Sequence, residues 1–138
     1  MLRSTSIKLD SWKPVKLLAR QSVDDSILNI SCDPKGDVVA ALTNSSISIF
    51  ANRELLDSIP LKRGKQVYVS GNTNSILALT SKNLVCYDLW GQIKWEYLAV
   101  DGNSALCTTP NFDFILISNG KSLNKIGRFG EILNETNF

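Results

Sequence analysis

An all-β repeat architecture is the fold class this chain predicts, and three observations carry the prediction. The first is a recurring hairpin. Tyr87-Asp88-Leu89-Trp90-Gly91-Gln92-Ile93-Lys94-Trp95 is matched by Ile126-Gly127-Arg128-Phe129-Gly130-Glu131-Ile132-Leu133 and by Leu9-Asp10-Ser11-Trp12-Lys13-Pro14-Val15-Lys16-Leu17. The second is the spacing of turn residues: Pro34, Asn72 and Pro110 stand 38 residues apart, as do Asp37, Ser75 and Asp113. The third is the dominance of strand signals, with short runs of Val, Ile, Leu and aromatics alternating with Gly, Asn, Asp, Pro and Ser.

Taken in order, Val15 to Arg20 reads as a strand by its match to later copies, with Pro14 opposing a helix. Ile27 to Cys32 is the next strand, closed by the Asp33-Pro34-Lys35-Gly36-Asp37 reverse turn. Val38 to Thr43 is almost wholly apolar, as a strand buried on both faces should be. Ser46 to Phe50 alternates polar and apolar and so predicts a half-buried strand, and Arg53 to Ile59 is a more polar one nearer an edge. The set then repeats as Gln66–Ser70, Ile76–Thr80, Leu84–Tyr87 and Gln92–Leu98. It repeats again as Ala105–Thr108, Phe114–Ser118, Ser122–Ile126 and Glu131–Leu133.

Four strands in a unit of about 40 residues is the layout of a β-propeller blade, a small antiparallel sheet that buries its faces against its neighbours. Nearly the whole chain resembles the WD40-like and quinoprotein-like (PQQ-like) repeat propellers. The stretch Ser31 to Asp37 looks like the S-x-D-G turn between the first two strands of a WD40 blade. Asp88, Gly91 and Trp95 look like the D-x-x-G-x-x-x-W corner of quinoprotein-like repeats, which implies a Gly-made hairpin and a Trp packed between blades. The Gly-His and Trp-Asp dipeptides of WD40 blades are absent, and the Trp95 position holds Leu17 and Asn134 in the other copies. The fold class expected is therefore all-β: an incomplete β-propeller arc of four-stranded antiparallel blades in a single domain over 1–138. It has a half-blade at 5–20 and blades at about 26–60, 66–99 and 104–134. Closed propellers take about four to eight blades. Three and a half imply completion by further chain, by a protein partner or by self-association.

Composition narrows the chemistry. At 138 residues, 43% hydrophobic and 20% charged, the chain has the make-up of one globular domain. A net charge of +2 is too slight to argue for a nucleic-acid partner. No run approaches the ~18 apolar residues of a membrane-spanning helix, and the N-terminal eight residues turn polar too early for a secretory signal. The expected location is intracellular and cytoplasmic, where the sequons at Asn29, Asn44 and Asn134 would go unglycosylated. Histidine is absent, which removes the commonest general base and zinc ligand. Cys32, Cys86 and Cys107 lie in apolar runs without metal-ligand spacing and read as small buried hydrophobes. No catalytic, cofactor or metal residue is expected.

Two sets of residues are candidates for partner binding. Lys62, Arg63 and Lys65 form the basic cluster in the loop joining two blades. They serve either as solvated charges that discourage edge pairing or as a contact for an acidic surface. Trp12, Trp90 and Phe129 occupy equivalent hairpin positions and are expected to pack between blades or, if exposed, to form a row of partner anchors. Gly127-Arg128-Phe129-Gly130 spans a hairpin, which is no context for a phosphate loop. The function expected is a non-enzymatic protein–protein interaction scaffold. The alternatives are a quinoprotein-like enzyme or assembly factor, and a weak nucleic-acid-binding module.

Overall fold

The computed structural model describes residues 20–137. The half-blade expected at 5–20, with Trp12, lies outside the described residues except for Arg20.

Among the described residues, twelve strands form three four-stranded antiparallel sheets, each a simple meander. The first holds β1 (Ile27–Cys32), β2 (Val38–Thr43), β3 (Ser46–Ala51) and β4 (Glu54–Pro60). The second holds β5 (Gly64–Val69), β6 (Ile76–Thr80), β7 (Leu84–Tyr87) and β8 (Ile93–Tyr97). The third holds β9 (Leu106–Thr108), β10 (Phe114–Asn119), β11 (Ser122–Gly127) and β12 (Ile132–Asn137). Among the described residues no helix is long and apolar enough to cross a membrane.

The 38-residue period has a physical basis in the turns. In each hairpin between first and second strands, the backbone N–H of Val38, Ser75 or Phe114 donates to an acceptor side chain five residues earlier. The acceptors are Asp33 Oδ1 (2.8 Å), Ser70 Oγ (3.1 Å) and Thr109 Oγ1 (3.1 Å). Three different residue types therefore do one job, satisfying a donor that the turn leaves unpaired. The hairpins between third and fourth strands repeat as well. Asp88 N–H donates to Gln92 O and Gly127 N–H to Glu131 O, with Gly91 and Gly130 at φ +82° and +83°. A glycine is needed there because a Cβ would be strained in the left-handed region. A register shift stands at Ile49/Phe50, Cys86/Tyr87 and Lys125/Ile126, so a β-bulge recurs at the same place in all three sheets.

The core lies between sheets. The alternation of strand side chains gives each sheet two faces. In the first sheet, Ala40, Leu42, Ile47, Ile49 and Ile59 meet Val67, Val69, Ile76, Ala78, Val85 and Tyr87 of the second. The opposite face of the second sheet, with Leu77, Leu79, Leu84, Cys86 and Tyr97, meets Leu106, Ile115, Ile117 and Ile126 of the third. The second sheet is thus sandwiched, and its middle strands β6 and β7 are buried along their whole length. Each fully buried Leu or Ile contributes about 1.5–3 kcal/mol of transfer free energy, so these two seams dominate the stability of the array. β3 was expected to be half-buried by its alternation but is buried on both faces, with Ser48 at 6% exposure.

Polar contacts lock the seams. Asn29 Oδ1 and Ser31 Oγ, on β1, accept the Val67 and Val69 N–H groups of β5 at 3.0 and 2.9 Å. Tyr68 O–H donates to Leu106 O at 3.3 Å, and Asn124 Nδ2 donates to the Tyr97 hydroxyl at 2.5 Å.

Candidate partner-binding rim

The antiparallel order puts two kinds of loop at opposite ends of the array. The hairpins between first and second strands and those between third and fourth strands share one end. The loops between second and third strands, and the connections from sheet to sheet, share the other. This separates the two candidate sets.

Trp90 and Phe129 stand at equivalent places in the hairpins of the second and third sheets, each just before the positive-φ glycine. Neither packs between sheets as expected: Trp90 is 64% exposed and Phe129 77%. The turn places both residues at the bend itself, and it is the glycine after each that approaches the neighbouring sheet. The Trp90 bend is held rigidly, with Asp88 Oδ1 accepting the N–H groups of Trp90 (2.8 Å) and Gln92 (2.9 Å).

The packing role belongs to Trp95. Its Nε1–H donates to Arg128 O at 2.7 Å, and its ring lies against Gly130, where a Cβ would sit 2.9 Å from Trp95 Cδ2. A side chain of the second sheet thereby clamps the hairpin of the third. The glycine after the exposed aromatic is required twice, for its φ and for the approach of the indole.

Lys62, Arg63 and Lys65 lie at the far end and do not act as one cluster. Gly64 and Lys65 belong to β5 itself, so the connection is only residues 61–63. Lys62 and Arg63 are exposed. Lys65 Nζ donates to Gly102 O (2.7 Å) and Ser104 O (3.0 Å), stitching the next sheet-to-sheet connection to the second sheet. Its charge is engaged by carbonyl oxygens, which is a structural use.

A cleft of about 310 Å³ opens at the hairpin end between the second and third sheets. Lys94, Trp95 and Asn72 line it on one side and Asn111, Arg128 and Phe129 on the other. Lys94 Nζ donates to Ser75 Oγ (2.7 Å) and Asn74 O (3.3 Å), and the Arg128 guanidinium is ion-paired with Asp113. Sequence reasoning missed this group. The available signal was the repeat itself, since Asn72 and Asn111 fall at one turn position and Arg128 directly precedes the exposed aromatic.

Of the three cysteines only Cys86 is buried, whereas Cys32 and Cys107 are exposed. The reading of all three as buried hydrophobes fails because Cys32 ends its strand and Cys107 sits on the face of the third sheet that no described element covers. Burial pushes the Cys86 thiol above its usual range, against smaller opposing effects of Ser75 and Lys94. Burial also raises the Tyr68 and Tyr87 hydroxyls, reinforced by Cys107 beside Tyr68 and by Glu96 beside Tyr87. All three groups are held in their neutral forms. Among the described residues no group of three His, Cys, Asp or Glu is placed to hold a metal ion.

No family model and no curated protein matches this chain. Solved structures do match, among them the β-propeller protein Hsv2. Against Hsv2 of Kluyveromyces lactis the TM-score is 0.61 at 15% identity, covering 83% of this chain and 38% of that one. Against Hsv2 of Kluyveromyces marxianus it is 0.60 at 15% identity, again with 83% and 38% covered. A Kluyveromyces lactis Hsv2 structure with complete loop 6CD matches at 0.59 and 16% identity, over 81% of this chain and 36% of that one. The described residues form a β-propeller arc. Its sheets are blades, and the chain spans well under half the length of these propellers. At such identity the likeness establishes the fold alone.

Proposed function

We propose that this chain is a non-enzymatic protein–protein interaction module, a WD40-like propeller arc that works as an intracellular scaffold within a larger assembly. One observation carries the reading. Two large aromatics, Trp90 and Phe129, stand in solvent at equivalent hairpin tips of adjacent blades, each next to a positive-φ glycine in a hydrogen-bonded turn. Exposed Trp and Phe cost solubility without helping the fold, whereas at interfaces aromatic anchors dominate binding energy. The remaining blades of the ring come, on this reading, from further chain, a partner or a second copy.

The test is quantitative co-purification using the full chain as bait, in three forms: wild type, a Trp90→Ala/Phe129→Ala double variant, and a Lys62→Ala/Arg63→Ala variant altered at the opposite end. The scaffold reading expects the first double variant to lose a stoichiometric partner that the second retains, with unchanged thermal unfolding of both. A partner set unaffected by Trp90→Ala/Phe129→Ala overturns it.

A further inference from the structure

The cleft between the second and third blades has an unusual balance of hydrogen-bonding groups. Its lining contains two cations and three Asn side chains but no carboxylate. Lys94 commits two of its three N–H donors, to Ser75 Oγ and Asn74 O. The Arg128 guanidinium bonds Asp113, leaving most of its fork of five donors uncommitted. The oxygen of the Asn72 amide is occupied, accepting from Ser70 Oγ at 2.7 Å and from Asn74 N–H at 3.1 Å. Its nitrogen has no protein acceptor among the described residues, and the Asn111 side chain makes no hydrogen bond there. The cleft therefore offers more free donors than acceptors, the latter on the Asn74 and Asn111 amide oxygens, and is bounded by Trp95 and Phe129.

An occupant must supply acceptors of two kinds, at least one of them anionic, together with apolar bulk. An extended acidic peptide does all three. Its backbone carbonyls accept from the Asn72 and Asn111 amides, a Glu or Asp carboxylate accepts from Lys94 and Arg128, and a neighbouring apolar side chain packs between Trp95 and Phe129. We propose that this cleft binds an extended peptide segment of a partner protein, carrying a carboxylate next to an apolar residue. The proposal rests on the scaffold reading and gives its partner a chemistry. The positioning is built into the repeat: Trp95 pins the Arg128 carbonyl from below, and the bend at Gly130 leaves Phe129 beside the cleft mouth.

The probe is a fluorescein-labelled nonapeptide of alternating Leu and Glu, titrated by fluorescence anisotropy against the whole chain. Saturable binding is expected. Lys94→Gln and Phe129→Ala should each weaken it at least about tenfold, as should replacing every Glu of the peptide with Gln, while Lys62→Ala leaves it unchanged. Inorganic phosphate at millimolar concentration should not displace the peptide. Absence of saturation up to about 1 mM, equal affinity for the Gln peptide, or full competition by phosphate overturns the proposal. Retained partner capture by the rim aromatics with no peptide binding would sink the cleft alone and leave the scaffold reading standing. Peptide binding without partner loss in the Trp90→Ala/Phe129→Ala bait would do the reverse.

Discussion

The second and third blades carry the same strand pairing but differ in polarity at several positions on the face turned away from the first blade. Strand register equates the positions: Leu77, Cys86 and Trp95 pair across the second blade as Leu116, Lys125 and Asn134 do across the third. One layer further, Leu79, Leu84 and Tyr97 correspond to Ser118, Leu123 and Thr136, and Tyr68 corresponds to Cys107. On the second blade this face is dry and covered by the third. On the third blade it holds an ammonium group 3.9 Å from the centre of the Phe114 ring, with Ser, Asn and Thr where the second blade has Leu, Trp and Tyr. An apolar sheet laid over Lys125 would leave a buried, unpaired charge costing several kcal/mol. The third blade's face thus suits water or a polar partner. Identical strand geometry says nothing about what covers a strand. Side-chain polarity decides it.

Swapping residues between the two faces tests this, and Cys86→Lys has the largest expected effect. It introduces at a 2% exposed position the group that Lys125 holds half-buried over the Phe114 ring, and should cost about 3–5 kcal/mol in urea unfolding. The converse, Lys125→Cys, should stay within about 0.5 kcal/mol. Equal costs would break the comparison. Next come the paired leucines. Leu84→Ala should destabilise by about 2–5 kcal/mol and Leu123→Ala by about 1 kcal/mol, because only the first leaves a closed cavity. The hairpin glycines give the smallest contrast between the two blades. Gly130→Ala should cost about 2 kcal/mol, since its Cβ meets the pinned Trp95 ring. Gly91→Ala should cost about 1 kcal/mol, since its Cβ meets Ile59 Cγ1 only at 3.2 Å, a milder clash. A reversed order, read from thermal unfolding, would show that the Trp95 clamp is not rigid.

Much of this fold was legible along the chain. The continuous apolar runs of Val38–Thr43, Ile76–Thr80 and Leu84–Tyr87, bounded by turn residues, are strong local signals, and the strands form there. The recurrence of Asp88-x-x-Gly91 as Gly127-x-x-Gly130 announced matching hairpins. The capping position was not legible, because Asp33, Ser70 and Thr109 look unrelated until their shared acceptor role is seen in space. Exposure was legible least of all. Trp90 and Phe129 read as packing residues or, if exposed, as partner anchors, and stand in solvent; Cys32 and Cys107 read as buried and are open, and Lys65 read as a loop charge and ties down two carbonyls. The cleft could not be read from any one segment, since its two cations come from different blades.

The amino-acid sequence by itself determined the strand period, the turn positions and the division of every strand into two faces, because these depend on residues within a few positions of one another. Only the tertiary structure decided which faces are covered, which aromatics are clamps and which are tips, and which cations share a cleft. Those outcomes depend on contacts between residues one repeat apart, and the spacing along the chain that makes the blades alike carries no record of what each blade meets.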